Sequence, residues 1–298
     1  MGVMNMEKTM NEWAIYNQKK IELTKKRIRR CIEKGEDFKV FLFDIDDTVN
    51  KSRKATEEQI EKINFKASER YKRLYEEAHP FFGDQIDNRD FNRMYWDLRN
   101  QILEDYGPYL GSIDYNLIHN EDNLYENSME FINHLINNHD DNVFVLYLSH
   151  YNPEREAVLK IQKYYEYSLD NKGESNLDGI ITLPVFEERY EPNGKNRTIT
   201  SKAIPLFTQL GLSSRYLSKC FLIDDSGRVR RDFKERGGIV IPAYLEKGYL
   251  EYFEDDKDDR QRVITDWDIA FFQTVLSKID YERKTGIEET KNYKIKRR

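Results

Sequence analysis

Residues 39–48 combine an apolar run with closely spaced carboxylates, a pattern that suits chemistry at a sheet edge. The β-favouring run 40–43 is followed directly by Asp44, Asp46 and Asp47. A strand buried on both faces shows such a continuous run, and open α/β sheets bind ligands at the carboxyl ends of their strands. Carboxylates this close together repel one another unless a cation lies beside them. The segment predicts a strand ending at a metal-dependent site, although an acidic turn that only caps a helix would look similar.

Two later segments repeat the pattern of an apolar run followed by polar side chains. The run that begins at residue 142 ends at Ser149, and the run that begins at residue 219 ends at Asp224 and Asp225. Between them, Lys202 lies at the predicted start of a helix. Parallel strands end at the same edge of a sheet, so we expect these side chains to lie near Asp44.

Taken in order, these segments resemble the four motifs of the haloacid dehalogenase superfamily of phosphohydrolases. Asp44-Ile45-Asp46-Asp47-Thr48 matches D-x-D-x-T, Ser149 matches the serine or threonine after the second strand, Lys202 matches the lysine of motif three, and Asp224-Asp225 matches the paired acids of motif four. The resemblance covers residues 39–240. It implies an α/β fold, with a Rossmann-like parallel sheet, helices on both faces and an inserted helical cap of the C1 type.

The resemblance implies catalytic roles for five residues. Asp44 would be the nucleophile that forms an aspartyl phosphate, dividing one difficult step into two easier ones. Asp46 would be the general acid and then the general base for water, which typically contributes ~10²–10⁴-fold. Thr48 would donate a hydrogen bond to the local loop and Ser149 to the phosphoryl group. Lys202 would bring a positive charge to both nucleophile and phosphate.

The same resemblance implies a Mg²⁺ ion as cofactor. Mg²⁺ prefers oxygen ligands and is usually held by one or two carboxylates together with substrate phosphate. Asp44, the backbone carbonyl of Asp46 and the pair Asp224 and Asp225 would form the site, with Asp225 as the direct ligand. Asp224 would bind a metal-held water or orient the lysine of motif three. No His/Cys cluster has the spacing of a zinc site.

Three residues beside the motifs are candidate substrate contacts. His150 and Asn152 follow the second strand, where His150 could equally be structural and Asn152-Pro153 could equally begin a helix. Arg228 follows the acid pair and could reach an anionic substrate, although such arginines usually form a solvated helix face. Lys195, in the preceding polar segment, is the alternative to Lys202 for motif three.

The function implied is a Mg-dependent phosphomonoesterase acting through an aspartyl phosphate. An aspartate at position 46 favours phosphatases or phosphomutases over dehalogenases and transport ATPases. A small phosphorylated metabolite such as a nucleoside monophosphate is the expected substrate. The alternatives are a polynucleotide 3′-phosphatase acting on a nucleic-acid end, a phosphomutase, or a non-catalytic protein that binds a phosphate ligand.

Four segments organise the chain. We expect an N-terminal helical arm at 1–37, a catalytic core at 38–50 and 122–250, a helical cap at 51–121, and a C-terminal helix and basic tail at 251–298. Aromatic residues of the cap could form a base-stacking pocket or simply the core of a small bundle. Residues 187–197 are polar and contain Pro192-Asn193-Gly194, which predicts a mobile loop.

Composition limits the possible partners and location. The 298 residues carry a net charge of −6, which disfavours broad nonspecific nucleic-acid binding. Only Cys31 and Cys220 are present, so a disulfide framework is not expected. No apolar run has transmembrane length and the first twenty residues lack a signal-peptide core, so we expect a cytoplasmic protein without membrane contact. The oligomeric state stays open.

Overall fold

The computed structural model describes residues 9–66, 69, 111–138, 140–151, 154–191 and 194–243, without the side chains of 187–191, 194–198 and 242. The helices are α1 (Met10–Lys34), α2 (Ser52–Ile63), α3 (Tyr115–Ile118), α4 (Ser128–Asn138), α5 (Glu154–Glu166), α6 (Ile204–Thr208) and α7 (Gly227–Glu235). The strands are β1 (Lys39–Phe43), β2 (Val143–Tyr151), β3 (Gly179–Pro184), β4 (Phe186–Glu191), β5 (Gly194–Ile199), β6 (Cys220–Asp224) and β7 (Ile239–Pro242). Glu121–Asn123 and Ser214–Lys219 form 3₁₀ helices.

Five strands form one parallel sheet in the order β3-β2-β1-β6-β7. Strand β1 is central, and Phe43 near its end is in register with Tyr147 of β2 and Ile223 of β6. The order reverses at β1, so the chain winds outward on both sides of this strand. A reversal of this kind leaves a crevice at the carboxyl ends of the central strands, where doubly wound folds bind ligands.

Helices cover both faces of the sheet, as predicted. Successive strand residues point to opposite faces, so Phe41 and Phe43 pack with α4 and α5, whereas Val40 and Leu42 pack with α1, α6 and α7. Helix α1 also places Trp13 in the first of these clusters. Because both faces are buried, the strands are continuously apolar instead of alternating.

Helix α1 occupies Met10–Lys34 of the segment 1–37, for which the sequence predicts a helical arm. Thr9 and Glu12 form a capping box at its start, each side chain accepting the other's backbone N–H. Gly35 ends the helix in the left-handed conformation, at φ 67°, which glycine adopts without steric cost.

The docking of α1 onto β3 depends on one polar side chain and one glycine. Asn17 Nδ2 donates to the Ile180 carbonyl at 2.8 Å, and Asn17 Oδ1 accepts from the Ile180 N–H at 2.8 Å and from the Tyr165 hydroxyl at 2.9 Å. A Cβ atom at Gly179 would lie 2.8 Å from Cγ1 of Ile21, so glycine permits the close approach of helix and strand.

The prediction of a loop at 187–197 is wrong, because most of this segment forms β-strands. Strands β4 and β5 pair antiparallel over Phe186 to Ile199, so most of this segment is a hairpin that begins just after β3. Pro192 and Asn193 lie outside the described residues. The strands of the hairpin are polar and lack the apolar pattern that identifies buried strands, which is why the sequence did not indicate them.

Several expectations fall on other parts of the chain. Residues 67, 68 and 70–110 lie outside the described residues. They include the aromatic residues considered for a base-stacking pocket of the predicted cap, which are Phe81, Phe82, Tyr95, Trp96, Tyr106 and Tyr109. The C-terminal helix and tail at 251–298 also lie outside them. Among the helices that the structure does describe, none combines the length and apolarity needed to cross a membrane.

Candidate active site

The turn after β1 brings its acidic residues to the sheet edge. The N–H of Asp44 donates to the Ile223 carbonyl at 2.9 Å, which extends the β1–β6 ladder by one residue. The Ile45 carbonyl then accepts backbone N–H groups of the turn. Asp47 has a left-handed φ of 53°, which aspartate tolerates better than most residues, and its carboxylate accepts the N–H of Arg53 at 2.9 Å. The turn therefore ties the start of α2 to the end of β1.

Lys202 joins two of the predicted acids. It lies in the turn before α6, is 1% exposed, and places Nζ 2.5 Å from Asp44 Oδ1 and 2.7 Å from Asp224 Oδ2. Burial alone would lower the pKa of Lys202, but Asp224 and Asp44 outweigh burial and raise it. The other oxygen of Asp224 accepts the Ser226 N–H at 2.8 Å. Both oxygens of Asp224 are thus bonded within the protein, which suits orientation of the lysine.

Asp44 and Asp225 offer oxygen atoms to a cation. One carboxylate oxygen from each of Asp44, Asp224 and Asp225 lies within 4.8 Å of the others. The buried Thr48 hydroxyl fixes Asp225, because it accepts the Asp225 N–H at 3.1 Å and lies 3.5 Å from Asp225 Oδ1. In the part of the chain that the structure describes, the second oxygens of Asp44 and Asp225 have no hydrogen-bond partner.

The electrostatics of this cluster fit a divalent cation. Burial raises the pKa of Asp44 to about 7, with Asp224 and Asp46 adding to the rise and Lys202 opposing it. Burial and the charges of Asp224, Asp47 and Asp44 raise the pKa of Asp225 well above its ordinary value. Closely spaced carboxylates at a largely buried site are the donors that a hard cation neutralises. The residues present therefore fit the Mg²⁺ ion that the sequence implies.

Asp46 and Ser149 meet beside a lysine that the sequence analysis did not identify. The Ser149 hydroxyl lies 3.2 Å from Asp46 Oδ2 and 3.2 Å from the His150 carbonyl oxygen. Lys160 of α5 also donates to Asp46 Oδ2, and its Nζ lies 3.2 Å from Ser149 Oγ. Asp46 thus has a cation of its own, separate from Lys202.

Two further residues extend this second network. Glu156 Oε1 lies 2.9 Å from Lys160 Nζ and 3.3 Å from Nε2 of His119. Asp46, His119 and Glu156 have potential metal-ligating atoms within 4.8 Å of one another. However, the Lys160 ammonium already bonds both Asp46 and Glu156 and takes the place of a metal ion there. Of the two clusters, that of Asp44 and Asp225 is therefore the better candidate for a cation site.

Lys160 gives Asp46 an electrostatic environment unlike that of Asp44. Burial alone would raise the pKa of Asp46, but the charge of Lys160, with help from His119, outweighs burial and holds that pKa below its ordinary value. Burial would lower the pKa of Lys160, but Asp46 and Glu156 raise it instead. Asp46 is therefore an ionised acceptor at neutral pH.

The sequence held only a weak indication of Lys160. Glu156 and Lys160 are spaced i, i+4, which normally marks an exposed ion pair on a helix surface. Here they share a buried helical stripe with Tyr164. A charged pair inside an otherwise apolar stripe is the pattern that could have identified them.

The candidate substrate contacts have different surroundings. His150 Nε2 donates to the Thr200 carbonyl at 2.8 Å, which ties the end of β2 to the segment before Lys202. Burial and the charge of Lys202 lower the pKa of His150 to about 4. Arg228 lines a pocket next to Lys202 together with Asp232 and Arg236. Asn152 lies outside the described residues, and Lys195 lies in β5 where side chains are not described.

Comparisons with known proteins agree with this architecture only loosely. No protein-family model and no curated protein matches the chain. One similar solved structure is a phosphoserine phosphohydrolase-like protein from Francisella tularensis, at 14% identity and TM-score 0.40, with 80% of this chain and 100% of that chain covered. A haloacid dehalogenase-like family hydrolase from Xanthomonas campestris matches at 12% identity and TM-score 0.41, with 83% and 98% covered.

A β-phosphoglucomutase from Clostridium difficile matches at 11% identity and TM-score 0.40, with 83% of this chain and 100% of that chain covered. TM-scores this low do not define a shared fold. The fold assignment therefore rests on the strand order and layering of this chain.

Proposed function

We propose that the protein is a phosphomonoesterase that forms an aspartyl phosphate on Asp44. The observation that carries the proposal is the environment of that carboxylate. Asp44 lies at the end of the central strand, and Lys202 binds its Oδ1 at 2.5 Å. Its other oxygen has no partner among the described residues, and the cation cluster with Asp225 lies beside it. A carboxylate held in this way can attack a phosphorus atom with the free oxygen.

Each neighbouring side chain then has a defined task. Lys202 neutralises Asp44 and the phosphoryl oxygens, where negative charge is concentrated during phosphoryl transfer. Asp46 is ionised in the free protein, so to act as the acid it would take the proton of a monoanionic phosphate ester and pass it to the leaving oxygen. It later takes a proton from water, the task that its lowered pKa suits. The Ser149 hydroxyl, which lies 3.2 Å from Asp46 Oδ2 in the free protein, would turn its single proton to the phosphoryl group when substrate binds. The Thr48 hydroxyl holds Asp225 in place by accepting the backbone N–H of Asp225.

The donor set supports Mg²⁺ as the cofactor. Asp44, Asp225 and the backbone carbonyl of Asp46 would hold the ion, and Asp224 would act through Lys202. When bound, Mg²⁺ supplies positive charge against the phosphoryl oxygens. Asp44 and Asp225 would in turn become fully ionised.

The direct test is release of p-nitrophenolate from p-nitrophenyl phosphate, with Mg²⁺ and with EDTA. We expect turnover only with Mg²⁺, and we expect Asp44→Asn to lower it by at least ~10³-fold because the nucleophile is lost. Asp37→Asn is the matched control, since Asp37 is exposed and pairs with Lys219 on the surface. Wild-type inactivity with Mg²⁺ across a panel of phosphate esters would favour a non-catalytic phosphate-binding protein.

The substrate class is a further part of the proposal. A nucleoside monophosphate or similar small metabolite remains the first candidate. The pocket with Arg228 and Arg236 beside Lys202 favours a polynucleotide 3′-phosphatase as the second, because these arginines could hold a further phosphate of a nucleic-acid end. Phosphate release from nucleoside monophosphates and from 3′-phosphorylated oligonucleotides separates the two. Return of the phosphoryl group to a sugar phosphate would instead identify a phosphomutase.

A further inference from the structure

We propose that Lys160 is a positioning residue for the second half of the reaction: it holds one oxygen of Asp46, so that the other oxygen can take the proton of the attacking water. This inference rests on the proposed function, because it concerns hydrolysis of the phosphate on Asp44. In that step water attacks phosphorus, the bond from phosphorus to the Asp44 oxygen breaks, and inorganic phosphate leaves. The proton lost by water passes to Asp46.

The contacts of Lys160 leave its ammonium no freedom to bind substrate. The side chain is fully buried. It donates to Asp46 Oδ2, lies 2.9 Å from Glu156 Oε1 and 2.6 Å from the His150 carbonyl oxygen, and lies 3.2 Å from Ser149 Oγ. An ammonium has three N–H donors, so these four acceptors use all of them. Lys160 therefore acts through Asp46 and Ser149.

The same contacts leave Asp46 with one oxygen for chemistry. Oδ2 accepts from both Lys160 and Ser149, whereas Oδ1 has no hydrogen-bond partner within the described ranges. The Asp46 side chain is 31% exposed, compared with 9% for Asp44. A base of this kind must hold its acceptor oxygen within reach of a single water. Fixing Oδ2 on two sides determines where Oδ1 points.

A purely structural role accounts poorly for this lysine. A buried ion pair usually adds little net stability compared with apolar residues of similar size. Nevertheless Glu156, the partner of Lys160, is itself anchored by His119 at 3.3 Å, and the His119 carbonyl accepts the Tyr167 hydroxyl at 2.6 Å. The contacts run from His119 through Glu156 and Lys160 to Asp46. They therefore support the position of the Asp46 carboxylate.

The test compares kcat with kcat/KM for p-nitrophenyl phosphate. With this good leaving group, kcat/KM reports the steps up to transfer onto Asp44, while kcat also includes hydrolysis of the intermediate. We expect Lys160→Met to lower kcat by ~10²-fold and kcat/KM by less than ~10-fold. KM should fall with kcat, and a pre-steady-state burst of p-nitrophenolate close to the enzyme concentration should develop.

Lys163→Met is the matched control, because Lys163 lies on the same helix and pairs with Glu166 near the surface; we expect no change in its kinetics. If Lys160→Met does not fold, the double variant Glu156→Gln/Lys160→Met, which also removes the partner charge, takes its place. Equal losses in kcat and kcat/KM without a burst would overturn this inference alone. An inactive wild-type protein would overturn the proposed function and this inference with it.

Discussion

Two buried lysines give the two aspartates after β1 different chemical characters. Lys202 shares its charge between Asp44 and Asp224, and burial still raises the pKa of Asp44 to about 7. Lys160 outweighs the burial of Asp46 and lowers its pKa. Asp44, the proposed nucleophile, therefore depends on a further cation for full ionisation, whereas Asp46, the proposed base, does not. Two carboxylates two residues apart can thus perform different tasks.

His150 predicts a pH dependence of stability. Burial and the charge of Lys202 lower the pKa of His150 in the folded protein to about 4, from the ordinary histidine value of 6.5. Between these values the unfolded chain binds a proton that the folded protein does not, so the free energy of unfolding falls as the pH drops from 6.5 to 4. The variant His150→Gln keeps a donor for the Thr200 carbonyl but has no group that titrates in this range. We expect its free energy of unfolding, measured by urea titration, to fall less than that of the wild-type protein between pH 6.5 and pH 4.

The control for this prediction is His134→Gln, because His134 is exposed on α4. It should behave like the wild-type protein across the same pH range. Identical pH profiles for the wild-type protein and His150→Gln would contradict the buried, neutral state of His150.

At the scale of elements, strand prediction succeeded wherever burial on both faces produced a long apolar run. The runs at 40–43 and 143–148 became neighbouring strands of the sheet. Asp44 directly follows the first strand, whereas the second strand continues past the buried Ser149 to Tyr151. The hairpin at Phe186 to Ile199 was missed since its pairing is local and its strands are polar. Lys160 was missed for a related reason: an i, i+4 ion pair gives no indication of burial until the helix is packed against the sheet.

The junction of α1 with β3 gives a prediction about stability. Asn17→Ala would leave the Ile180 N–H, the Ile180 carbonyl and the Tyr165 hydroxyl without their partner in a buried region. Unsatisfied buried groups cost about 1–3 kcal/mol each, so we expect the free energy of unfolding to fall by at least ~2 kcal/mol in urea titrations.

Gln18→Ala is the control, because Gln18 is the exposed neighbour of Asn17 on the same helix. Its effect should stay within about 0.5 kcal/mol. If the two variants had equal stability, the hydrogen bonds of Asn17 would not be what anchors α1.

At the scale of the whole molecule, the doubly wound sheet explains why four distant segments could be assigned to one site from the sequence. Asp44 and Asp225 lie just beyond strand ends, Ser149 lies two residues before the end of β2, and Lys202 lies just before a helix. The parallel topology places these positions at one edge. Topology gives no information about which helix side chains reach that edge from the side. It also leaves the substrate undetermined, because specificity depends on groups around the site and not on the strand ends.

The central claim, that Asp44 is the nucleophile, is tested most directly by trapping the intermediate. Protein mixed with Mg²⁺ and p-nitrophenyl phosphate is quenched in acid within milliseconds, digested and analysed by mass spectrometry. We predict one added phosphoryl group on the peptide that contains Asp44, located on that residue by fragmentation and absent from Asp44→Asn. A phosphoryl group on a different residue, or turnover in which no phosphorylated peptide forms under single-turnover conditions, would contradict the account.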